Sequence, residues 1–579
     1  MKSFVVALAV IFSAVSCARI KPKTTMLLDS SGERWVEKNL KRMTLEEKAG
    51  QLIFCRYNGL FFNRESSKFK ELEELIKDVK IGGLILFLGD IYEAAYLTNT
   101  LQSMADVPLL IASDLERGLG QQLDGAVVFP PLMALGAAGS EEMAYDMGAV
   151  TAREARAVGI HMTYAPVADV NINPENPIIN VRSVGESPEL VGRLVCPFIR
   201  GCQENGLIAT AKHFPGHGDT DLDSHTVLPT VYADRDRLEK VELYPFKKAI
   251  DAGVMAVMTA HIHLPALDPT PSLPATLSPV ILTKLLRQKM GFKGLIVTDA
   301  LEMGGVTTLY SPGEAAVKAV AAGVDCLLLP PEIPDVVKTL VGAVREGKLS
   351  EGRLDESVRR ILTAKAKLGL HKSRLVDETS LDTVIAAPEH VQKAEALFEA
   401  SLTLVKNEGN VLPVGKDGKI FVFSLSSDPG DYYAGRPFIQ ELEKHCPQVE
   451  SFFADKFTGE EYLKEAEESM RNADAVVFTL FSRVRSQKGT VGLEERHITM
   501  INRAVEAGIP AIAVSFGSPY FIRCFPEINA YLCAYRYYEA AQKAAARAVL
   551  GMADIKGKLP VSIPGLYSIG HGLSFYVKK

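Results

Sequence analysis

The chain has 579 residues, 47% of them hydrophobic and 23% charged, with a net charge of −6. That length exceeds one ordinary core, so two or three domains are expected. No basic excess is present to neutralise phosphates, so nucleic acid is not an expected partner. The eight cysteines lie far apart with no C-x-x-C pair. This fits neither a zinc site nor a disulfide framework, and most should be buried thiols.

The chain begins Met1-Lys2-Ser3, followed by an apolar run from Phe4 to Val15 and then Ser16-Cys17. An early positive charge, a short apolar stretch and small residues at its end predict a signal peptide over 1–17 rather than a membrane span. Ala14-Val15-Ser16-Cys17 resembles a bacterial lipobox, with Ala14 where Leu is usual. Export to the periplasm or cell surface is expected, with lipid attachment at Cys17; the alternative is plain cleavage nearby. No later segment is long and apolar enough to span a bilayer.

From about residue 45 to 370, short apolar runs alternate with helix-length stretches. The runs are Gly50–Cys55, Ile81–Phe87, Leu109–Asp114, Ile160–Val167, Ile208–Phe214, Ala256–Ile262, Leu295–Ala300 and Val324–Leu329. They are rich in Ile, Leu and Val without strict alternation, which predicts parallel strands buried on both faces. Helices are expected at Phe69–Val79, Glu141–Val158, Leu190–Glu204, Leu238–Ala252 and Pro279–Met290. Eight such strands alternating with helices predict an α/β fold, a TIM-type (β/α)8 barrel over 25–370, with a doubly wound open sheet as the alternative. Active-site residues of a barrel lie at the C-terminal ends of its strands. Asp114, Lys212, His213, His261 and Asp299 all fall there, and each would be costly to bury alone. Residues 371–392 are polar and aperiodic and read as a linker. Ile420–Leu425, Ala475–Phe481, Ala511–Phe516 and Ala530–Ala534 then predict a smaller α/β sandwich domain over 393–579, with about five strands.

The densest polar segment is KHFPGHGDTDLDSH, from Lys212 to His225. Asp219, Asp221 and Asp223 mimic the start of an EF-hand, but Ser224 stands where that loop needs Gly and Thr230 where it needs Glu. His213 and His217 have zinc-helix spacing, but Pro215 and Gly216 lie between them. The better reading is a mobile catalytic loop, free to bend at Gly216 and Gly218. In its far part, Asp223 can hold one ring nitrogen of His225 and raise the basicity of the other.

This segment, with Leu228-Pro229 after it, resembles the signature of glycoside hydrolase family 3, in particular its NagZ-like β-N-acetylglucosaminidases. Met43–Lys48, Tyr164–Asn171, Asn180–Gly185 and Gly294–Leu301 support the resemblance across the barrel. Ser515–Tyr520 and Gly557–Ile563 extend it more weakly to the second domain. The resemblance implies that Asp299 is the nucleophile of a retaining glycosidase, His225 the acid/base and Asp223 its orienting partner. It implies sugar-binding roles for Asp114, Arg182, Lys212 and His213, and it implies no metal or cofactor. His217 and His261 are expected to be structural hydrogen-bonders, and His263, Asp219 and Asp221 receive no role. One departure is Gln122, where the family usually carries a sugar-contacting arginine; Arg117 is nearby but sits at a different place in the motif.

The expected reaction is hydrolysis of terminal, non-reducing β-N-acetylglucosamine from cell-wall fragments, chitin oligomers or glycans. A neutral histidine does not repel an anionic acceptor, so a phosphorylase using phosphate is one alternative. A non-catalytic carbohydrate-binding lipoprotein is another, and a β-glucosidase of the same family is a close relative. The sequence fixes no oligomeric state.

Overall fold

The structure, a computed structural model, describes residues 26–428, 433–482 and 492–577. The signal-peptide segment with Cys17 lies outside the described residues. Eight parallel strands form the first domain: β1 (Ile53–Gly59), β2 (Gly83–Asp90), β3 (Leu110–Ser113), β4 (Met162–Thr163), β5 (Ile208–Phe214), β6 (Ala256–Thr259), β7 (Leu295–Val297) and β8 (Leu327–Leu328). β8 pairs with β1, and the Cys326 N–H donates to the Ile296 carbonyl at 3.1 Å, joining β8 to β7. The strands therefore close into a barrel, and the open-sheet alternative falls.

Two strand ends depart from the sequence expectation for local reasons. Thr44 and Glu47 form a reciprocal capping box that starts the helix Leu45–Gln51. That helix takes up Gly50 and Gln51, so β1 starts at Ile53. β4 is cut to two residues, and beyond it the pairing with β5 goes on only in single bonds: the Thr210 N–H donates to the Ala165 carbonyl at 2.8 Å, the Lys212 N–H to that of Pro166 at 3.2 Å, and Val167 bridges to Lys212.

The second domain is a six-stranded sheet made of β9 (Thr403–Asn407), β10 (Ile420–Ser426), β11 (Val449–Ala454), β12 (Ala475–Phe481), β13 (Ala511–Ser515) and β14 (Ala530–Cys533). The order is β9-β14-β13-β12-β10-β11, with β9 antiparallel to β14. Apolar cores lie on both faces of the sheet. β9 and β11 went unread in the sequence. β11 is a half-exposed edge strand with Glu450 in it, and β9 carries Lys406, so neither shows an unbroken apolar run.

The domains share packing. The helix Pro388–Ser401 begins inside the segment read as linker, with Pro388 favouring its first turn. Ala394 and Leu397 enter the barrel core while Phe398 enters the second core. Met133, Ala134, Ala137 and Val181 of the barrel chain are buried with Phe421 and Phe521 of the second domain. Asn171 donates to the Tyr520 hydroxyl at 3.1 Å, and the Ser562 N–H donates to Glu186 at 2.7 Å. The long segment after β4, which carries Asp169 and Arg182, is therefore braced from the second domain. The seven described cysteines are free thiols, five of them buried.

Candidate active site

A cavity of about 440 Å³ opens at the C-terminal mouth of the barrel. Asp114, Arg182, Lys212, His213, His225 and Asp299 all line it. They arrive from different strands: Asp114 directly follows β3, Lys212 and His213 end β5, and Asp299 lies two residues beyond β7. Asp223 stands behind His225 rather than on the cavity wall.

The closed end of the cavity is an ion network. Lys212 Nζ is 2.8 Å from both Asp114 Oδ1 and Glu116 Oε1. Glu116 also takes a bidentate pair from Arg182, at 2.7 and 3.1 Å. Two cations and two anions leave this buried cluster neutral overall. Burial pushes the Glu116 carboxyl up, but Arg182 and Lys212 outweigh it and hold it well below the usual carboxylate range. Burial depresses the Lys212 ammonium, but Asp114 and Glu116 more than reverse that. Of the network, Asp114 keeps the most exposed acid, with 29% of its side chain accessible against 3% for Lys212. A sugar hydroxyl entering here meets charged donors and acceptors already fixed in place. Replacing Glu116 by alanine takes the carboxylate partner from buried Arg182 and leaves Lys212 with Asp114 alone, and is expected to cost about 3–5 kcal/mol of stability. Denaturant unfolding checks this, and a loss near zero would mean that the network relaxes without its central acid.

A second buried acid, Asp169, holds the start of the loop after β5. It accepts from the His213 and His217 backbone N–H groups and lies 2.7 Å from His213 Nδ1. Gly218 packs so close to Val170 that a Cβ there would stand 1.8 Å from its carbonyl oxygen. His217 is clasped between Ser224 Oγ at 2.8 Å and Thr220 Oγ1 at 2.9 Å. Burial pushes its imidazole down to about 4, so it stays neutral. Asp219 is spent on Arg237 at 2.6 Å, and Asp221 points to solvent. Neither carboxylate is directed to a shared ligand.

Beyond this anchored base, the loop presents His225. Its Nδ1 is 2.6 Å from Asp223 Oδ1, and its backbone N–H donates to the same oxygen at 2.9 Å. The carboxylate puts the proton on Nδ1, so Nε2 is the atom that exchanges protons. Asp299 accepts from the Ala300 N–H at 2.8 Å. Burial pushes its carboxyl up, but His213, His261 and the Ala300 N–H outweigh this and hold it below the ordinary value. It is therefore ionised at neutral pH. His261 supports this turn, with Nε2 3.0 Å from the Ala300 carbonyl and Nδ1 2.8 Å from Thr276 Oγ1. Burial lowers the His261 imidazole as well. The His263 imidazole bonds its own loop, at the Thr270 carbonyl.

The acid/base loop is tied to the chain just after Asp299. The Gly304 N–H donates to the His225 carbonyl at 3.0 Å, and the Gly305 N–H to that of Ser224 at 3.1 Å. A Cβ at Gly304 would stand 2.4 Å from the Thr226 carbonyl oxygen, so only glycine allows this approach. One cavity thus holds an ionised carboxylate and an imidazole primed for proton exchange. That pairing suits attack at an acetal carbon with proton transfer to its leaving oxygen.

Gln122 does not stand in for a guanidinium. Its amide donates to the Asp114 carbonyl at 3.1 Å and accepts from the Leu88 N–H at 3.3 Å. Arg117 lines the cavity instead, but its Nε donates to the Tyr538 hydroxyl of the second domain at 3.2 Å. Glu116, Asp169 and Tyr538 went unassigned in the sequence. A polar residue inside an apolar run was the available signal for Asp169, and acid spacing after β3 for Glu116. No signal pointed to Tyr538. Tyr164 also lines the cavity with a buried hydroxyl that has no partner among the described residues.

Two family models match this chain. The N-terminal domain of glycosyl hydrolase family 3 covers residues 44–364 and its C-terminal domain covers 402–573. A Cellulomonas fimi protein named beta-N-acetylglucosaminidase/beta-glucosidase is 31% identical, over 92% of this chain and 96% of that protein. Beta-hexosaminidase A of Pseudoalteromonas piscicida is 32% identical, over 85% of this chain and 91% of its own. Among solved structures, a family 3 β-N-acetylglucosaminidase from Paenibacillus sp. str. FPU-7 superposes with a TM-score of 0.80 at 35% identity, covering 90% of this chain and 99% of that one. The beta-glucoside phosphorylase BglX bound to 2FGlc superposes with a TM-score of 0.85 at 29% identity, covering 93% and 97%.

Proposed function

Since the chain belongs to glycosyl hydrolase family 3, we propose that it is a retaining exo-glycosidase that releases terminal, non-reducing β-N-acetylglucosamine. The observation that carries this is the pairing, in one cavity, of ionised Asp299 with the His225–Asp223 dyad. The names of the Cellulomonas, Pseudoalteromonas and Paenibacillus relatives support the choice of sugar.

In the proposed sequence, His225 Nε2–H protonates the glycosidic oxygen while Asp299 attacks the anomeric carbon, giving a covalent glycosyl-enzyme. His225, now neutral, takes a proton from water, which displaces Asp299 with net retention. Asp114, Lys212, Arg182 and His213 hold the sugar at the closed end. The second domain contributes no acid to this scheme; it braces the segment that carries Asp169 and Arg182. The signal-peptide and lipobox features support an exported, lipid-anchored enzyme acting on cell-wall fragments, chitin oligomers or glycans. A Cys17→Ala protein that stayed with the membrane fraction would speak against the anchor.

The test is a panel of aryl β-glycosides of N-acetylglucosamine, glucose and xylose, with product analysis in the presence and absence of phosphate. The highest kcat/KM is expected for N-acetylglucosamine, with free sugar as product. A preference for glucose would overturn the sugar assignment. N-acetylglucosamine 1-phosphate as the main product would make the enzyme a phosphorylase.

A further inference from the structure

Two arginines with no carboxylate partner among the described residues meet where the second domain packs behind the cavity wall at Arg117. Arg536 follows β14 and is largely buried, yet its Nε has no hydrogen-bond partner among the described residues. Its guanidinium lies 4.7 Å from the ring centre of Tyr537 and 5.4 Å from that of Tyr538. Its Nη2 donates a long hydrogen bond, 3.5 Å, to the Tyr537 hydroxyl. Burial and then Arg117 lower the Arg536 guanidinium, and only the two phenols act the other way. Burial raises the Tyr538 phenol, but Arg117 and Arg536 outweigh it and hold it below its ordinary value. Tyr538 therefore lies between two arginines. Among the described residues neither has a carboxylate partner, whereas Arg182 and Lys212 a short distance along the wall are fully paired.

Two neighbouring guanidinium groups repel, and burying one without a counter-charge is costly; ring stacking offsets only part of that. Guanidinium groups recognise oxyanions through paired N–H donors. We propose that Arg117 and Arg536, with Tyr538 between them, form a seat for an oxyanion at the outer part of the sugar cavity. Arg117 belongs to the cavity wall and Arg536 backs it from the second domain. On the glycosidase reading the terminal sugar is held by Asp114, Lys212 and Arg182, which leaves Arg117 for the leaving group or a free anion. The ligand class is a carboxylate or phosphate, carried by an acidic leaving-group sugar or supplied as inorganic phosphate. The seat rests on the glycosidase reading of the adjoining cavity.

A matched substrate pair tests it: a disaccharide with β-N-acetylglucosamine linked to a sugar bearing a carboxylate, and the methyl ester of the same compound. The wild type is expected to favour the free acid in kcat/KM by about 10- to 100-fold, the worth of one or two charge-assisted hydrogen bonds. Arg536→Met should erase that preference, and Arg536→Lys should keep part of it. If phosphate is the occupant, both disaccharides react alike, and added inorganic phosphate yields a sugar 1-phosphate that Arg536→Met no longer forms. A wild type that cleaves aryl β-N-acetylglucosaminide but shows neither behaviour overturns the seat and leaves the glycosidase standing. This comparison stands on the wild type even where Arg536→Met fails to fold. A wild type inactive on the aryl substrate overturns the glycosidase reading itself.

Discussion

Asp299→Ala is expected to lower kcat on an aryl β-N-acetylglucosaminide by at least about 10⁴-fold, as removal of an attacking group does elsewhere. The reason lies in where the residue is held. Its carboxylate is ionised in the cavity wall, fixed by the Ala300 N–H, and alanine leaves nothing to attack the anomeric carbon. Folding should suffer little, because the side chain is only half-buried in the cavity wall and its hydrogen bond is to the neighbouring Ala300 N–H. Thermal melting should therefore stay nearly unchanged while activity collapses. Added azide, small enough to enter the space, should restore turnover and give a glycosyl azide of inverted configuration. A variant that retained a tenth of wild-type activity would remove Asp299 from the mechanism.

His225→Ala separates the two halves of the reaction. With a sugar leaving group, protonation is essential, and a loss of about 10²- to 10⁴-fold in kcat/KM is expected. With 2,4-dinitrophenolate, a leaving group that needs no proton, glycosylation should proceed nearly as before. Water must then attack without a base, so the glycosyl-enzyme accumulates. Stopped-flow traces should show a burst of dinitrophenolate equal to the enzyme concentration, followed by slow turnover. Equal losses for both leaving groups would assign His225 a structural role.

The barrel was legible because its strands advertise burial on both faces. β5, Ile208–Phe214, was read residue for residue, since each of its side chains is buried. β4 is shorter than its apolar run, because past Thr163 the chain meets β5 only through single bonds at Ala165, Pro166 and Val167. The inward-aimed residues were equally visible, because polar side chains at the ends of apolar runs demand a reason. What stayed hidden was how those charges balance. Lys212 meets its acids across a gap of about a hundred residues, and no local pattern shows that Glu116 holds two cations at once. The contribution of the second domain was hidden for the same reason. Tyr520 and Tyr538 look like ordinary core aromatics until folding sets them against Asn171 and Arg117.

The tie between Gly304 and Gly305 and the carbonyls of Ser224 and His225 bears on how such an enzyme can diversify. Both bonds are made by main chain alone, so they are blind to the identity of the side chains around them. Leu222 and Val227 on the outer surface of the loop are 49% and 42% exposed. Drift at these positions can reshape what greets an incoming leaving group while the proton donor keeps its station opposite the nucleophile. Preference for the aglycone is thereby left open to selection, and the chemistry is insulated from it.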